Sequence, residues 1–142
     1  MRNIARLFSL LLLAACGDNK PSSSTVEEIF SDVMALQMAK VNFAYRAAHP
    51  RADTIVELEK LKQLYADQIT AKQQGECFLD QKDKPTIFNC IIHFEWSDFE
   101  VNGVRVPAQS GDTTIQVIQV NSKWQVHQNK PRNAVDLEMP NL

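Results

Sequence analysis

Two hydrophobic periods divide the chain. From Val26 onward, Ile29, Phe30, Val33, Met34, Leu36, Met38, Val41 and Tyr45 recur at three- and four-residue steps, the spacing of one helical face. Ser24 or Thr25 is placed to cap that helix, with Glu27 or Glu28 completing a capping box. His49-Pro50 stops it, because the residue before proline is pushed out of helical geometry. A second helix is expected from Asp53 or Thr54, with Leu58, Leu61, Leu64, Tyr65 and Ile69 as its stripe and Gly75 as its terminator. From residue 88 the period becomes two. Phe88, Cys90, Ile92, Phe94 and Trp96 alternate with Asn89, Ile91, His93 and Glu95, which predicts a strand with one apolar face.

Turn chemistry orders the rest. Val101-Asn102-Gly103-Val104 signals a two-residue hairpin, since Asn-Gly supplies the positive φ angles of a type I′ turn. That register sets Glu100 opposite Arg105 and Phe99 opposite Val106. A strand over Thr113–Val120 follows, then a turn at Asn121-Ser122 and a strand over Lys123–Gln128. Residues 129–142 hold two prolines and little periodicity, and read as an extended tail. The expected fold class is α+β: two N-terminal amphipathic helices packed on a curved antiparallel sheet of four to five strands.

Composition leaves room for such a core, with 44% apolar and 23% charged residues. The first residues change the picture more. Met1 to Arg6 carries two arginines and no acid, and Leu7 to Ala15 is apolar except for Ser9. Nine residues are too few to span a hydrocarbon core of about 30 Å, so this is a secretory signal rather than a membrane span. Its small residues run directly into cysteine, as Leu13-Ala14-Ala15-Cys16-Gly17. The stretch resembles the lipobox of bacterial lipoproteins. The resemblance implies cleavage after residue 15, diacylglycerol and fatty acid on Cys16, and durable anchoring by two or three acyl chains. The position after the cysteine is Gly17, with Asp18 one later, so the family's sorting rule implies the periplasmic face of an outer membrane.

Residues 16–24 then form a lipidated cysteine and polar tether, residues 25–128 the single domain, and 129–142 the tail. Loss of Arg2 and Arg6 with the signal leaves 13 Lys+Arg against 17 Asp+Glu, a net of −4. An acidic domain without a basic stripe is a poor nucleic-acid binder. Export also decides the remaining cysteines. In an oxidising compartment Cys77 and Cys90 can pair once, and a turn between Asp83 and Lys84 sets them opposite each other, with Leu79 beside Phe88. Cys-x-x-Cys spacing is absent, so a structural disulfide is expected over a redox or metal-binding pair.

The element order, with the closing stretch Val120-Asn121-Ser122-Lys123-Trp124-Gln125-Val126, is similar to small lipoproteins with a cystatin-like or nuclear-transport-factor-like fold. That resemblance implies a curved sheet around helices, often with a cone-shaped pocket. It says nothing of activity.

Candidate chemistry is sparse. His49 belongs to the interhelical turn. His93 and Glu95 share a strand face and stand about 7 Å apart, close enough for general acid–base work if that face lines a cavity. His127 would join them only in a favourable register. Trp96 and Trp124 are expected as core anchors, with an aromatic ligand platform as the alternative. No serine lies in Gly-x-Ser-x-Gly, no glycine-rich phosphate loop is present, and no metal or cofactor is expected. The sequence therefore reads as a lipid-anchored envelope protein whose domain is a non-enzymatic binding or accessory module for a protein partner or small apolar ligand. One alternative is a small pocket enzyme of hydrolase or isomerase type using His93 and Glu95. Another is an accessory subunit of a secretion, conjugation or exclusion system.

Overall fold

The computed structural model describes residues 20–51, 55, 57–81 and 84–127. The expected signal, Cys16 and the expected tail at 129–142 lie outside these residues. Helix α1 spans Ser23–Ala48 and α2 spans Leu58–Ala66. The strands are β1 (Thr70–Gln81), β2 (Lys84–Trp96), β3 (Phe99–Val101), β4 (Val104–Val106), β5 (Gln109–Val120) and β6 (Lys123–Val126). Strands β1, β2, β5 and β6 form an antiparallel sheet in that order, and β3 with β4 forms a separate ribbon. The α+β expectation holds. The hairpin does not extend the main sheet but stands apart from it.

Helix α1 starts earlier than expected. Ser22 is the cap, its Oγ accepting the Thr25 N–H at 3.2 Å, rather than Ser24 or Thr25. The earlier start adds the Val26 N–H to Ser22 C=O bond at 3.1 Å and frees Glu27 from a capping box. Glu27 instead accepts the Gln73 N–H at 2.9 Å, covering a backbone donor on the edge strand β1. Val26, Phe30, Met34, Met38, Asn42 and Arg46 follow one another at four-residue steps as buried positions of α1. The apolar series thus continues as two polar residues. Val41, expected on that face, is exposed.

Helix α2 is shorter than its predicted stripe. Its expected start at Asp53 or Thr54 lies outside the described residues, and Glu57, in extended geometry, immediately precedes the first turn. The helix ends at Ala66, where Asp67, Gln68 and Ile69 donate back to Gln63, Tyr65 and Ala66. Gly75 therefore does not terminate a helix. Thr70 to Gln74 pairs with Glu95 to Ile91, and these cross-strand bonds outweigh the local helical pattern. Gly75, at φ +68°, sits where the register shifts between Gln74 and Phe78, a bulge in β1. Leu61 and Tyr65 are buried, Leu58 and Ile69 pack against the core, and Leu64 is exposed.

The inner face of β2 is as expected: Phe88, Cys90, Ile92, Phe94 and Trp96 are all buried. Phe94 stacks on Phe30 of α1 with centroids 5.7 Å apart, and on Trp96 at 5.3 Å. Cys77 and Cys90 form a disulfide-distance pair with Cα atoms 4.4 Å apart, and Leu79 pairs with Phe88. The Asn-Gly turn has φ +54° and +73°, with Glu100 opposite Arg105 and Phe99 opposite Val106. Asn121 and Ser122 make the second tight turn, at φ +50° and +63°.

The register gives the domain two distinct ends. Ile87 pairs with Ile118, so the β1–β2 and β5–β6 turns lie at the same end of the sheet. The chain enters beside the middle of β1, where Lys20 meets Glu76 at 3.6 Å. Twenty-six residues of α1, about 39 Å at 1.5 Å per residue, carry it to the β3–β4 ribbon at the other end. No helix of the described residues is long and apolar enough to cross a membrane.

Candidate functional site

The far end is organised around Asn42. This buried side chain donates to Tyr65 Oη at 3.0 Å and to the Val101 carbonyl at 3.0 Å, and its own carbonyl accepts from Asn102 at 3.0 Å. Asn102 also binds both backbone groups of Ile55, accepting its N–H at 3.0 Å and donating to its C=O at 2.8 Å. One turn residue thus ties the ribbon to α1 and to the segment between the helices. Burial raises the Tyr65 pKa, partly opposed by the hydrogen bond from Asn42. Arg46 lies over the Tyr45 ring at 5.2 Å, and its guanidinium packs against Gly103. A Cβ at Gly103 would stand 2.7 Å from Arg46 Nη2, so a side chain there must shift the end of that guanidinium besides adopting a φ of +73°.

Beside this network a cleft of about 430 Å³ opens where β2 leaves the sheet and β5 enters it. It is lined by Gln68, Thr70, Glu95, Trp96, Ser97, Ala108, Gln109 and Ser110. Thr70, Glu95 and Ser110 form one row across three strands. The wall at Ala108 is held by Asp98, which accepts the Ala108 N–H at 2.6 Å and pairs with Arg105 of β4. The Arg105 and Ala108 bonds hold the Asp98 carboxyl below its ordinary range. Trp96 fixes the same loop by donating from Nε1 to the Pro107 carbonyl at 3.0 Å. The lining is hydroxyls, amides and one carboxylate, suited to hydrogen-bonding groups rather than to an apolar ligand. Between α1 and the sheet, Phe30, Met34, Ile92 and Phe94 belong to one buried apolar cluster.

His93 and Glu95 share the outer face of β2, as expected, but they face different neighbours. Glu95 is exposed and lines the cleft. His93, half-exposed, lies one row away, between Lys72 and Asp112, with Nδ1 2.7 Å from Asp112 Oδ1. Asp112 thereby orients that ring. His127 does not join them. Its N–H bonds to the Gln116 carbonyl, and Gln116 pairs with Asn89, four residues along β2 from His93.

His49 is exposed at the α1 C-terminus, stacked on Tyr45 at 4.7 Å. Trp96 is buried, while Trp124 is half-buried edge-on to Phe88 at 5.8 Å; the two do not share a platform. Among the described residues no three His, Cys, Asp or Glu side chains gather as a metal site.

Asp112, Asp98 and Asn42 escaped the sequence reading. Asp112 follows from the β2–β5 register, which no turn between those strands announces. Asn42 had a faint signal, since it continues the four-residue series that begins at Val26. Compared with family models, with curated proteins and with solved structures, the chain matches none.

Proposed function

We propose that this chain is an envelope lipoprotein, anchored through lipid on Cys16 at the periplasmic face of the outer membrane, whose domain is a non-enzymatic module that binds a protein partner. The observation that carries the binding role is the polar cleft around Glu95, built at the end of the domain away from the tether. Its walls are fixed by Asp98 and Trp96, so the surface is preorganised and binding costs little ordering. The lipobox residues and the Cys77–Cys90 pair, which suits an oxidising compartment, support the exported location.

The test is site-specific photo-cross-linking of the full protein in the cells that make it. A photoreactive residue at Gln109 should capture a discrete protein, one at Glu28 on α1 should not, and Glu95→Lys should abolish the Gln109 adduct. Equal capture from both positions, or an adduct indifferent to Glu95→Lys, would overturn the cleft as the binding surface. Replacing Cys16 by Ser tests the anchor separately and should move the protein out of the membrane fraction.

A second reading, a small enzyme working through His93 and Glu95, is favoured by the His93–Asp112 pair. It requires a substrate held between cleft and imidazole. Under the binding reading His93→Ala leaves the Gln109 adduct intact; its loss in a folded protein would favour the enzyme.

A further inference from the structure

Strand β5 is paired on both sides for only part of its length. It meets β2 from Gln109 to Ile118, but β6 only from Val117 to Val120. One residue further, the His127 N–H bonds to the Gln116 carbonyl at 2.8 Å, so Gln116 turns its backbone groups toward β6. Alternate residues of a regular strand turn the same way. The β2–β5 register runs without a shift, and Thr114, Asp112 and Ser110 therefore point their N–H and C=O groups away from β2. Among the described residues no backbone group bonds them there.

This opening has defined ends. His127 closes it at Gln116, and Asp98 closes it beyond Ser110 by accepting the Ala108 N–H at 2.6 Å. On the opposite edge of the sheet the outward Gln73 N–H is covered by Glu27. What remains between Ser110 and Thr114 is about 14 Å of bare edge, and Ser110 also lines the cleft.

Backbone donors and acceptors in this spacing are matched by another strand. Two candidate strands fit poorly. In the register of His127 on Gln116, the chain's own sequence would set Pro131 opposite Asp112, and proline has no N–H for the Asp112 carbonyl. Two copies paired through all three residues would set Asp112 of one against Asp112 of the other, a like-charge pair. The cleft adds a preference of its own. Glu95 lies opposite Ser110 on the outer face, is exposed, and forms no ion pair among the described residues. A residue added opposite Ser110 would stand two strand spacings, about 10 Å, from Glu95. The small Ser110 side chain between them leaves a long basic side chain free to cross to the carboxylate.

We propose that the edge of β5 at Ser110, Asp112 and Thr114 receives an extended segment of the protein partner as an added strand, with an arginine or lysine laid over Ser110 onto Glu95. This rests on the binding reading of the cleft given above and names what that cleft recognises. Main-chain bonds supply the affinity, and the basic side chain sets the register.

The test uses the full protein in detergent micelles and a short synthetic peptide of alternating threonine and valine with one central arginine. Amide exchange is read residue by residue by NMR. The peptide should slow the Ser110, Asp112 and Thr114 amides at least ten-fold and leave those of Gly111 and Thr113, which face β2, unchanged. Glutamate in place of the arginine should weaken binding at least ten-fold to the wild type, and far less to Glu95→Gln. Thr114→Pro removes an outward N–H and no bond to β2, so it should weaken binding with an unchanged circular dichroism spectrum. Should that variant unfold, a peptide N-methylated at the amides facing β5 makes the same test on the wild type and should not bind. No slowing of the three amides, or binding indifferent to N-methylation, would overturn strand addition. Slow exchange of the three amides in the free protein would overturn it too, assigning the edge to the chain itself, or to a second copy where protection rises with concentration. In each case the cleft reading stands if Glu95→Lys still abolishes the Gln109 adduct in cells, and falls with the proposal if it does not.

Discussion

The two ends of this domain are built from different materials. At the sheet end the buried ridge of α1 is apolar, through Val26, Phe30 and Met34, and β1 and β2 are joined by Cys77–Cys90. At the far end the same ridge presents Asn42 and Arg46, and the β3–β4 ribbon is held by side-chain amides and one tyrosine hydroxyl. Apolar packing is non-directional and tolerates small shifts. A buried amide network is directional: satisfied, it fixes one arrangement, and broken, it leaves groups without water or partner. The cleft lies at the end that demands position.

That contrast is broken most severely at Asn42. Leucine has nearly the same volume but leaves Tyr65 Oη, the Val101 carbonyl and one Asn102 donor without their partner. At roughly 1–3 kcal/mol for each buried polar group so stranded, a loss of about 4 kcal/mol is expected for Asn42→Leu. A domain of this size should then melt roughly 20 °C lower, measured by circular dichroism. Hydrogen exchange should quicken over residues 98–108 before 76–90. Uniform acceleration would mean that the two ends are one cooperative unit.

The disulfide tests the other end. A loop closed across a separation of 13 residues stabilises by about 3 kcal/mol in the chain-entropy model. Cys77→Ala with Cys90→Ala should lower the melting temperature correspondingly and quicken exchange first in β1 and β2. An unchanged melting curve under reductant would show that packing alone holds the hairpin.

How much of each end could be read in the sequence follows from the same difference. The sheet end was legible where its signals are local: the alternation from Phe88 to Trp96, and the pairing of Cys77 with Cys90, although Lys84, expected in the turn, begins β2 and pairs with Gln81. The Asn-Gly hairpin was legible for the same reason, down to Glu100 opposite Arg105. What that hairpin docks on was not. Asn42 and Asn102 are sixty residues apart, and neither carries a mark of its partner. Gly75 misled because glycine both ends helices and kinks strands, and only the partner strand β2 decides which. His93 and Glu95 were placed on the correct face, but Asp112 and the cleft depend on β5, which returns after a separate ribbon.

The two glycines with positive φ sharpen the comparison at smaller magnitude. A Cβ added to Gly75, at +68°, would meet nothing within 4 Å, whereas at Gly103, at +73°, it would meet Arg46 Nη2 at 2.7 Å. Backbone strain is similar at both, about 1 kcal/mol. Gly75→Ala should therefore cost about 1 kcal/mol and Gly103→Ala about 2 kcal/mol, the excess coming from displacement of a packed guanidinium. Equal costs in urea titrations would mean that Arg46 moves aside freely and does not brace the turn.

The smallest effect expected is that of Asp98, the clamp of the cleft wall. Its carboxyl titrates below its ordinary value because the Arg105 hydrogen bond, and after it the Ala108 N–H, favour the charged form. A carboxyl lowered on folding stabilises the native state at pH above its unfolded value of about 4. That contribution is lost as the pH falls through the lower folded value. The side chain is exposed, so the gain is small and weakens with salt. Asp98→Asn should remove only that part of the acid-limb slope, leave stability at neutral pH nearly unchanged, and weaken capture from Gln109 by loosening the Ala108 wall. Unaltered capture with a flattened acid limb would show that the clamp serves the ribbon alone and that the cleft keeps its shape through Trp96 and Pro107.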